Sequence, residues 1–536
     1  MSAPPRRAAF GTALACLVGA GAALRFPRLA SVPNAAHDEG NWLLAGWQRA
    51  HGHPEPLPPD ARFVTDLFAR LIGLAMRALG DTVAAARMVP VLGLLAGAVA
   101  VAWAARRVAG PRPALVLAAL LLVHPWSVLW SRNVVTPYAF SLVLAALVPL
   151  LAHAAWSSRG SPLQRVVCLQ AAALGFHFSP LAALTVAATS AQLVSDADAR
   201  RRLRSPSTVV ALALALAHVA PIVAGAVGVA QHGATRPSAW FDHFAGRLGI
   251  YLRTVLGVLS GEATVRDFTG AAHHAFGEAA AAMIVVAVLV VALREGHPAL
   301  RRIGAVHLAA GLLGLPLLLA PMRQWNLPSV DSERYGFVLL APAAMLAASL
   351  ASGRARALAT VAVLGLALGP TARAARWFLH GGGPDHGLFT ADGGGSGRRW
   401  KVTPVDVPVV EQILRAADAL GDGRPVTVYS ADYVFHPLYF ANASRPHRLV
   451  EPAVRPLMLQ PGEPVLFVRW ADAVFAPDAH LAADLAAQRD LTARMHAPDV
   501  EGLRLLRTLR QPDGEDLVEL WVARGAVDAR PPAMGD

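Results

Sequence analysis

Over the first 371 residues, long apolar runs alternate with short polar breaks. A helix that crosses a membrane needs roughly 17–25 mostly apolar residues. Runs near that length lie at 8–24, 84–104, 114–130, 137–156, 163–178, 180–194, 207–229, 278–293, 303–320, 335–352 and 357–371. The pattern predicts a multi-pass α-helical membrane protein with about eleven spans. The two runs on either side of His177 also read as one broken helix, an alternative that changes the parity of the count. Arg6 and Arg7 ahead of the first run resemble a cleavable signal, but the many later spans favour an uncleaved first helix. Two segments between runs are long: 25–83 and 230–277. Within the first, residues 61–79 interleave apolar and charged positions at helical spacing, as an interfacial helix would.

Beyond residue 371 the pattern changes. Residues 372–400 contain a Gly-rich stretch, 381–397, and read as a flexible linker. A helix is expected at 407–420, with Asp406 as its N-cap, Pro408 in the first turn and Gly421 just past the end. Strand-like runs follow at 426–430, 464–470 and 517–523. Helix alternating with strand predicts a small α/β domain over 401–536, attached to a membrane domain over 1–371.

Composition agrees with the pattern. Hydrophobic residues make up 55% of the chain and charged residues 16%, whereas soluble domains carry about 25% charge. The net charge of +12 at first admits a nucleic acid as partner. Arginine placement argues otherwise, with the RRRLR run at 200–204 as one of several loop clusters. With the N-terminus inside, the inner loops hold Arg106, Arg107 and Arg112, then Arg159 and Arg165, then Arg200, Arg201, Arg202 and Arg204. Arg294, Arg301 and Arg302 follow, and finally Arg354 and Arg356. Short basic inner loops are what the positive-inside rule requires. That topology puts 25–83, 230–277 and the C-terminal domain outside, so no nucleic-acid partner is expected. Cys16 and Cys168 both lie in apolar runs and build neither a disulfide framework nor a zinc site.

Few residues carry candidate chemistry. His37-Asp38-Glu39-Gly40 places two carboxylates just after the first span of an acid-poor chain. Asp38 also suits the N-cap of a helix over Asn41 to Gln48. If the segment is helical, adjacent carboxylates point differently and have different tasks. The hairpin 124–138 carries Arg132 and Tyr138, which also fit a snorkelling arginine and an interfacial tyrosine. His177 lies between two runs, where a packing role is equally natural. Residues 323–335 bring Arg323, Glu333, Arg334 and Tyr335 to the start of a late span. His51, His53, His273 and His274 lack metal-ligand spacing. Asn442-Ala443-Ser444 is a glycosylation sequon by pattern only. The chain has no P-loop, dinucleotide fingerprint or zinc motif.

In order along the chain, these features resemble the polytopic GT-C glycosyltransferases of the protein O-mannosyltransferase and aminoarabinose-transferase superfamily. The pattern is the acidic pair Asp38-Glu39, then Gly80 to Arg87, then Arg106-Arg107 with Gly110. Pro125, Ser131, Arg132, Pro137 and Tyr138 follow, then His177, and finally Arg334-Tyr335 with Pro342. The resemblance covers roughly residues 8–352. The chain departs from it at Thr136, where many relatives have a second basic residue, and in lacking a His-x-Pro-Pro-like motif in the first loop; Pro58-Pro59 is at most a displaced echo.

The resemblance implies a GT-C-like membrane fold in a bacterial plasma membrane. It implies transfer of a sugar from a polyprenyl-phosphate donor to a protein, lipid or polysaccharide hydroxyl at the outer face, with inversion. Asp38 and Glu39 would be catalytic. Arg132, Tyr138, His177, Arg323, Arg334 and Tyr335 would bind the lipid phosphate and sugar. A divalent cation on Asp38 or Glu39 is an alternative source of positive charge. Two other function classes stand beside this one: a transporter or flippase of lipid-linked sugar, and a non-catalytic membrane scaffold. A transporter would show mid-span charges and matched broken helices. Here the charges sit at span boundaries and no repeat is visible.

Overall fold

The computed structural model describes residues 4–30, 37–52, 66–134, 137–158, 160–233, 248–262, 275–319, 334–352, 409–430, 441–450, 459–471, 482–510 and 516–526, with isolated residues between 265 and 440. The chain divides into two compact units. The first holds residues 1–27, 56–71 and 87–379, and the second holds 28–55, 72–86 and 380–536.

The first unit is helical. A helix covers each expected span from 8–24 to 335–352; the last expected span, 357–371, lies largely outside the described residues. The helices used below are α1 (Pro4–Ala23), α2 (His37–His51), α3 (Leu67–Leu79), α4 (Val83–Ala109), α5 (Pro111–Val123), α6 (Pro125–Ser131) and α7 (Tyr138–Ala155). They continue with α8 (Pro162–Phe178), α9 (Ala182–Val194), α10 (Ala197–Leu203), α11 (Pro206–Gly233), α12 (Leu248–Ser260), α13 (Ala275–Glu295), α14 (Pro298–Leu319) and α15 (Phe337–Ser349). Helix α15 packs against α5, α7 and α14, and α7 packs against α8 and α9. Small residues permit close approach: a Cβ on Gly97 of α4 would stand 2.4 Å from the methyls of Val143 on α7. Close backbone approach at glycine is a usual device of membrane helix packing.

The count of about eleven spans is not confirmed by helix length and composition among the described residues. Among the described residues, two helices are long and apolar enough to cross a membrane, α4 and α7. The number rises to four if α5 with α6 and α10 with α11 each act as one bent span. The reason is local. Helix α5 stops at His124 because Pro125 restarts the chain in a new direction, 56° away. Helix α9 has 13 residues, about 20 Å of rise against a core of about 30 Å. The segment around His177 is two helices, α8 and α9, joined by a sharp turn through Ser179: a Cβ on Gly175 would meet the Cβ of Ala182 at 3.1 Å, whereas seven residues of continuous helix span about 10 Å.

The second unit contains α2 and a mixed sheet. Helix α2 lies against the part of α3 beyond residue 72: a Cβ on Gly46 would overlap Ile72, and the Arg77 guanidinium donates to the carbonyls of Arg49 (2.6 Å) and Ala50 (2.7 Å). The sheet strands are β1 (Thr427–Ser430), β2 (Arg448–Val450), β3 (Pro464–Trp470), β4 (Val500–Arg510) and β5 (Asp516–Gly525), in the order β2-β1-β3-β5-β4. Strand β1 runs parallel to β2 and β3, while β5 runs antiparallel to β3 and β4. Strand β3 is apolar almost throughout because helices α16 (Val409–Gly421) and α17 (Ala482–Met495) both pack on it. A strand covered on both faces loses the usual alternation. The three expected strands are present. Gly421 is the last helical residue of α16 rather than one beyond it, and Asp406 and Pro408 lie outside the described residues. Helix α17 and strands β2 and β4 were not expected. Strand β4 is an edge whose side chains are mostly exposed, so its sequence lacks a buried face to betray it.

A buried ion pair ties the sheet to α17. Arg494 on α17 donates to both Asp499 oxygens, at 2.5 and 2.9 Å, and to the Tyr429 hydroxyl at 3.1 Å. Asp499 also accepts from the Leu459 amide at 3.2 Å. Burial opposes ionisation of Asp499, but the hydrogen bonds from Arg494 and Leu459 outweigh it and hold the carboxyl below its usual range. A carboxyl with a depressed folded pKa stabilises the fold above its unfolded value of about 4, and that contribution fades as pH falls through the folded value. Asp499→Asn is expected to cost about 1–3 kcal/mol at neutral pH. Hydrogen exchange of residues 464–470 in the full chain should be faster in the variant at pH 7, with the difference shrinking toward pH 3. Equal protection at pH 7 would contradict the assignment.

Candidate functional site

The site grows from the bend between α5 and α6. Proline at position 125 has no N–H and starts α6, while the His124 imidazole Nδ1 caps that helix by accepting from the Trp126 amide at 3.2 Å. The Ser127 hydroxyl donates to the Leu121 carbonyl at 2.6 Å, with the His124 carbonyl at 2.9 Å, and so covers carbonyls the bend leaves over. The short helix ends at Arg132, its C-cap.

Two fully buried arginines lock this corner to the end of α1. Arg25 donates through Nε to the Ser131 hydroxyl (2.8 Å) and through Nη2 to Ser127 (3.3 Å). Its Nη1 donates to the carbonyls of Gly21 (2.8 Å) and Leu122 (2.7 Å). Arg132 returns the contact: Nη1 donates to the carbonyls of Leu24 (2.8 Å) and Arg25 (3.0 Å), and Nη2 to that of Pro27 (2.7 Å). Each guanidinium thus holds the backbone or hydroxyls of the other's segment. Arg132 is not a snorkelling side chain; it is a clamp on the 24–27 turn. Among the described residues no carboxylate pairs with Arg25, so backbone and hydroxyl dipoles hold a buried cation there. Burial, then the charge of Arg132, pushes Arg25 down to about 9. Burial, then the charge of Arg87, does the same to Arg132. Both remain cationic at neutral pH. Arg87 is itself fully buried at the start of α4.

Beside this cationic corner stands a wall of aromatic rings. Tyr138 begins α7 and meets Trp130 edge-on at 5.3 Å. It also meets Tyr335 edge-on at 6.1 Å and Phe337 at 6.1 Å. Trp130 continues the cluster to Trp126 at 6.2 Å. Tyr335 belongs to a 3-10 turn, Arg334–Gly336, that leads into α15. A Cβ at Gly336 would strike Val258 of α12 at 2.5 Å, so a glycine is needed for that turn to seat against α12. Of the residues expected at the site, the fold brings Arg132, Tyr138 and Tyr335 to one end of the helical unit. Sequence reasoning missed Arg25, Ser127 and the tryptophans, and named Ser131 only as part of the family pattern. An arginine directly after an apolar span was a readable signal for Arg25; Ser127 had none.

His177 does something else. Its Nε2 lies 2.7 Å from Nε2 of His218 on α11, and His218 Nδ1 lies 3.3 Å from the Gln170 side-chain oxygen. The pair links α8 to α11, and no hydrogen bond joins His177 to the arginine corner among those described. Arg323, Thr136 and the side chain of Arg334 lie outside the described residues.

The acidic pair sits in the second unit. Helix α2 begins at His37, so Asp38 and Glu39 occupy its first turn and Asp38 is not the N-cap. Carboxylates in a first turn are favoured by the helix dipole. Successive residues on a helix differ by about 100° in direction, so positions 38 and 39 lie on different sides of α2. Glu39 is buried; the side chain of Asp38 lies outside the described residues. Among the described residues no three His, Cys, Asp or Glu side chains gather as a metal site. His51, at the other end of α2, pairs with Asp81 at 3.2 Å and with the Trp47 carbonyl at 3.0 Å. His53, His273 and His274 lie outside the described residues.

Residues 59–224 match the sequence family described as dolichyl-phosphate-mannose-protein mannosyltransferase. That stretch includes Arg132, Tyr138 and His177. No curated protein matches the chain significantly in sequence. Among solved structures, ArnT from Cupriavidus metallidurans in the apo state is 14% identical, with a TM-score of 0.55 over 98% of this chain and 99% of that one. The same protein bound to undecaprenyl phosphate gives 0.53 at 14% identity, over 99% and 100%. A sequence match over part of the chain and a fold match over nearly all of it bear out the resemblance to the polytopic GT-C glycosyltransferases of the protein O-mannosyltransferase and aminoarabinose-transferase superfamily.

Proposed function

We propose that this chain is a membrane glycosyltransferase that moves a sugar from a polyprenyl-phosphate donor to a hydroxyl acceptor at the outer face of a bacterial plasma membrane. The observation that carries this reading is the buried cationic corner of Arg25 and Arg132 beside Tyr138 and Tyr335. It occurs in a fold shared along nearly its whole length with a protein solved with undecaprenyl phosphate bound. A lipid phosphate needs positive potential that water does not screen, and buried guanidiniums supply it. The tyrosines add rigid, half-polar walls of the kind found where lipid meets water.

The chemistry asks for little beyond this. Phosphate is already a good leaving group, so the donor needs no strong acid. The acceptor hydroxyl needs a base, and Asp38 is assigned that role. Direct attack by the hydroxyl oxygen on the anomeric carbon breaks the bond to the phosphate oxygen and inverts the anomeric configuration. The hydroxyl proton passes to Asp38, and the bond electrons leave with the polyprenyl phosphate. Arg334 is assigned to the departing phosphate, which arginine holds through paired hydrogen bonds. Arg132 acts through its clamp on residues 24–27 and through its charge. Glu39 is assigned to placing the acidic helix, since it is buried.

Membrane vesicles supplied with labelled polyprenyl-phosphate sugar and a hydroxyl acceptor test the assignment. Asp38→Asn is expected to lower transfer by about 10²–10⁴-fold at normal expression; turnover like that of the parent protein would refute Asp38 as the base. Arg334→Ala is expected to raise the KM for the donor, and an unchanged KM would remove Arg334 from the phosphate site. The topology has its own test. A cysteine placed at Arg424 should react with a membrane-impermeant maleimide in intact spheroplasts, and protection there would put the C-terminal domain inside.

A further inference from the structure

The RRRLR run at 200–204 takes no part in the proposed reaction, yet the fold shapes it. Helix α10 leaves the first turns of α11 at 73°. Helix α11 presents Val209, Val210, Leu212 and Leu214 outward, each 45–59% exposed. An exposed apolar face of that extent on a helix is the mark of contact with lipid chains. Helix α10 turns away just where this face begins. Its own apolar residues, Ala199 and Leu203, point inward to a small core of Ala152, Trp156, Cys168 and Leu193. Arg200 lies on α10 and Arg204 is its C-cap, one turn further on, and both are exposed.

Two further observations define the place. The core under α10 includes Ala152 and Ala155 of α7, and α7 begins at Tyr138 in the candidate site. Its 18 residues span about 27 Å, close to the thickness of a hydrocarbon core of about 30 Å. Helix α10 therefore lies one bilayer core away from the arginine corner. The adjoining turn adds cations: Arg302 of α14 reaches Ser195 at 2.9 Å and Asp196 at 3.7 Å. Between 196 and 204 two carboxylates face four guanidiniums, and one carboxylate, Asp198, is spent on Arg201.

We propose that the exposed basic face of α10 is a docking surface for anionic phospholipid, with the head-group phosphate on Arg200 and Arg204 and the acyl chains along the exposed face of α11. Charge complementarity selects the anion, and the adjoining apolar stripe selects a lipid over a free phosphate. The surface is distinct from the donor site and from its lipid. The inference rests on the reading of the helical unit as membrane-spanning.

The test uses the full chain in nanodiscs of phosphatidylcholine alone and with one part in three of phosphatidylglycerol. The expected result is a higher thermal midpoint with phosphatidylglycerol, a gain that shrinks as salt rises. R200Q/R201Q/R204Q should abolish that gain while keeping the midpoint in phosphatidylcholine. R200K/R201K/R204K should retain most of it, which guards against a variant that simply misfolds. An undiminished gain in the glutamine variant would overturn the proposal. So would equal loss of the gain in R424Q/R489Q/R504Q, which removes the same charge from the C-terminal α/β region. Soluble glycerol phosphate that reproduced the gain would also overturn it. Failure of the parent protein to enter nanodiscs would overturn the membrane reading together with this one, whereas loss of the lipid effect with sugar transfer intact would overturn this one alone.

Discussion

The helical unit depends on how two arginines are kept charged in a place without water. A buried cation costs several kcal/mol of hydration even after the protein relaxes around it. Arg25 recovers this through carbonyls at the end of α1 and α5 and hydroxyls on α6. Arg132 recovers it through the carbonyls of residues 24 to 27. The arrangement is reciprocal, so neither side chain can be satisfied unless the end of α1 and the α5–α6 bend sit in one relation. The bend, the serines and the proline that make it are therefore parts of one device. Backbone carbonyls on both sides and the serine hydroxyls on α6 make up that device.

The aromatic cluster extends the same logic. Tyr138 begins α7, and Tyr335 sits in the middle of the turn before α15. They are far apart in sequence and edge-to-face in space. The contact fixes the start of a late helix against the start of an early one, at the end of the unit where the arginines lie. A glycine at 336 lets that turn approach Val258 of α12 closely. At the far end of α7 the chemistry is different: short basic segments, a small apolar core and an exposed apolar face. The two ends of the helical unit are thus specialised in opposite senses, one to bury charge and the other to display it.

Several elements could be read directly from the chain. Apolar runs placed α1, α4, α5, α7, α8, α9, α11, α13, α14 and α15, because a run of such length has few other ways to satisfy its backbone; α10 and α12 match no such run. The strands 426–430, 464–470 and 517–523 were legible because buried β-branched and aromatic residues cluster there. Strand β4 was not, since it is an exposed edge and its leucines and arginines follow no buried face. Bends were not legible for a related reason: hydropathy averages over them, so it does not see that Pro125 divides one run into two directions. Asp38 was read as a possible cap, but whether a residue caps a helix or enters it depends on one or two dihedral angles.

The sequence by itself determined that the chain is mostly helical and apolar, that it carries a sheet-forming tail, and that Asp38, Arg132, Tyr138 and Tyr335 merit attention. Those conclusions rest on periodicity, residue type and order along the chain, which are local properties. Only the tertiary structure decided that Arg132 clamps residues 24–27, that Arg25 is its partner, that His177 belongs with His218, and that Tyr138 meets Tyr335. Each of these is a contact between segments distant in sequence. Such contacts follow from how helices pack, and packing is set by shape and burial over the whole unit rather than by any one stretch of residues.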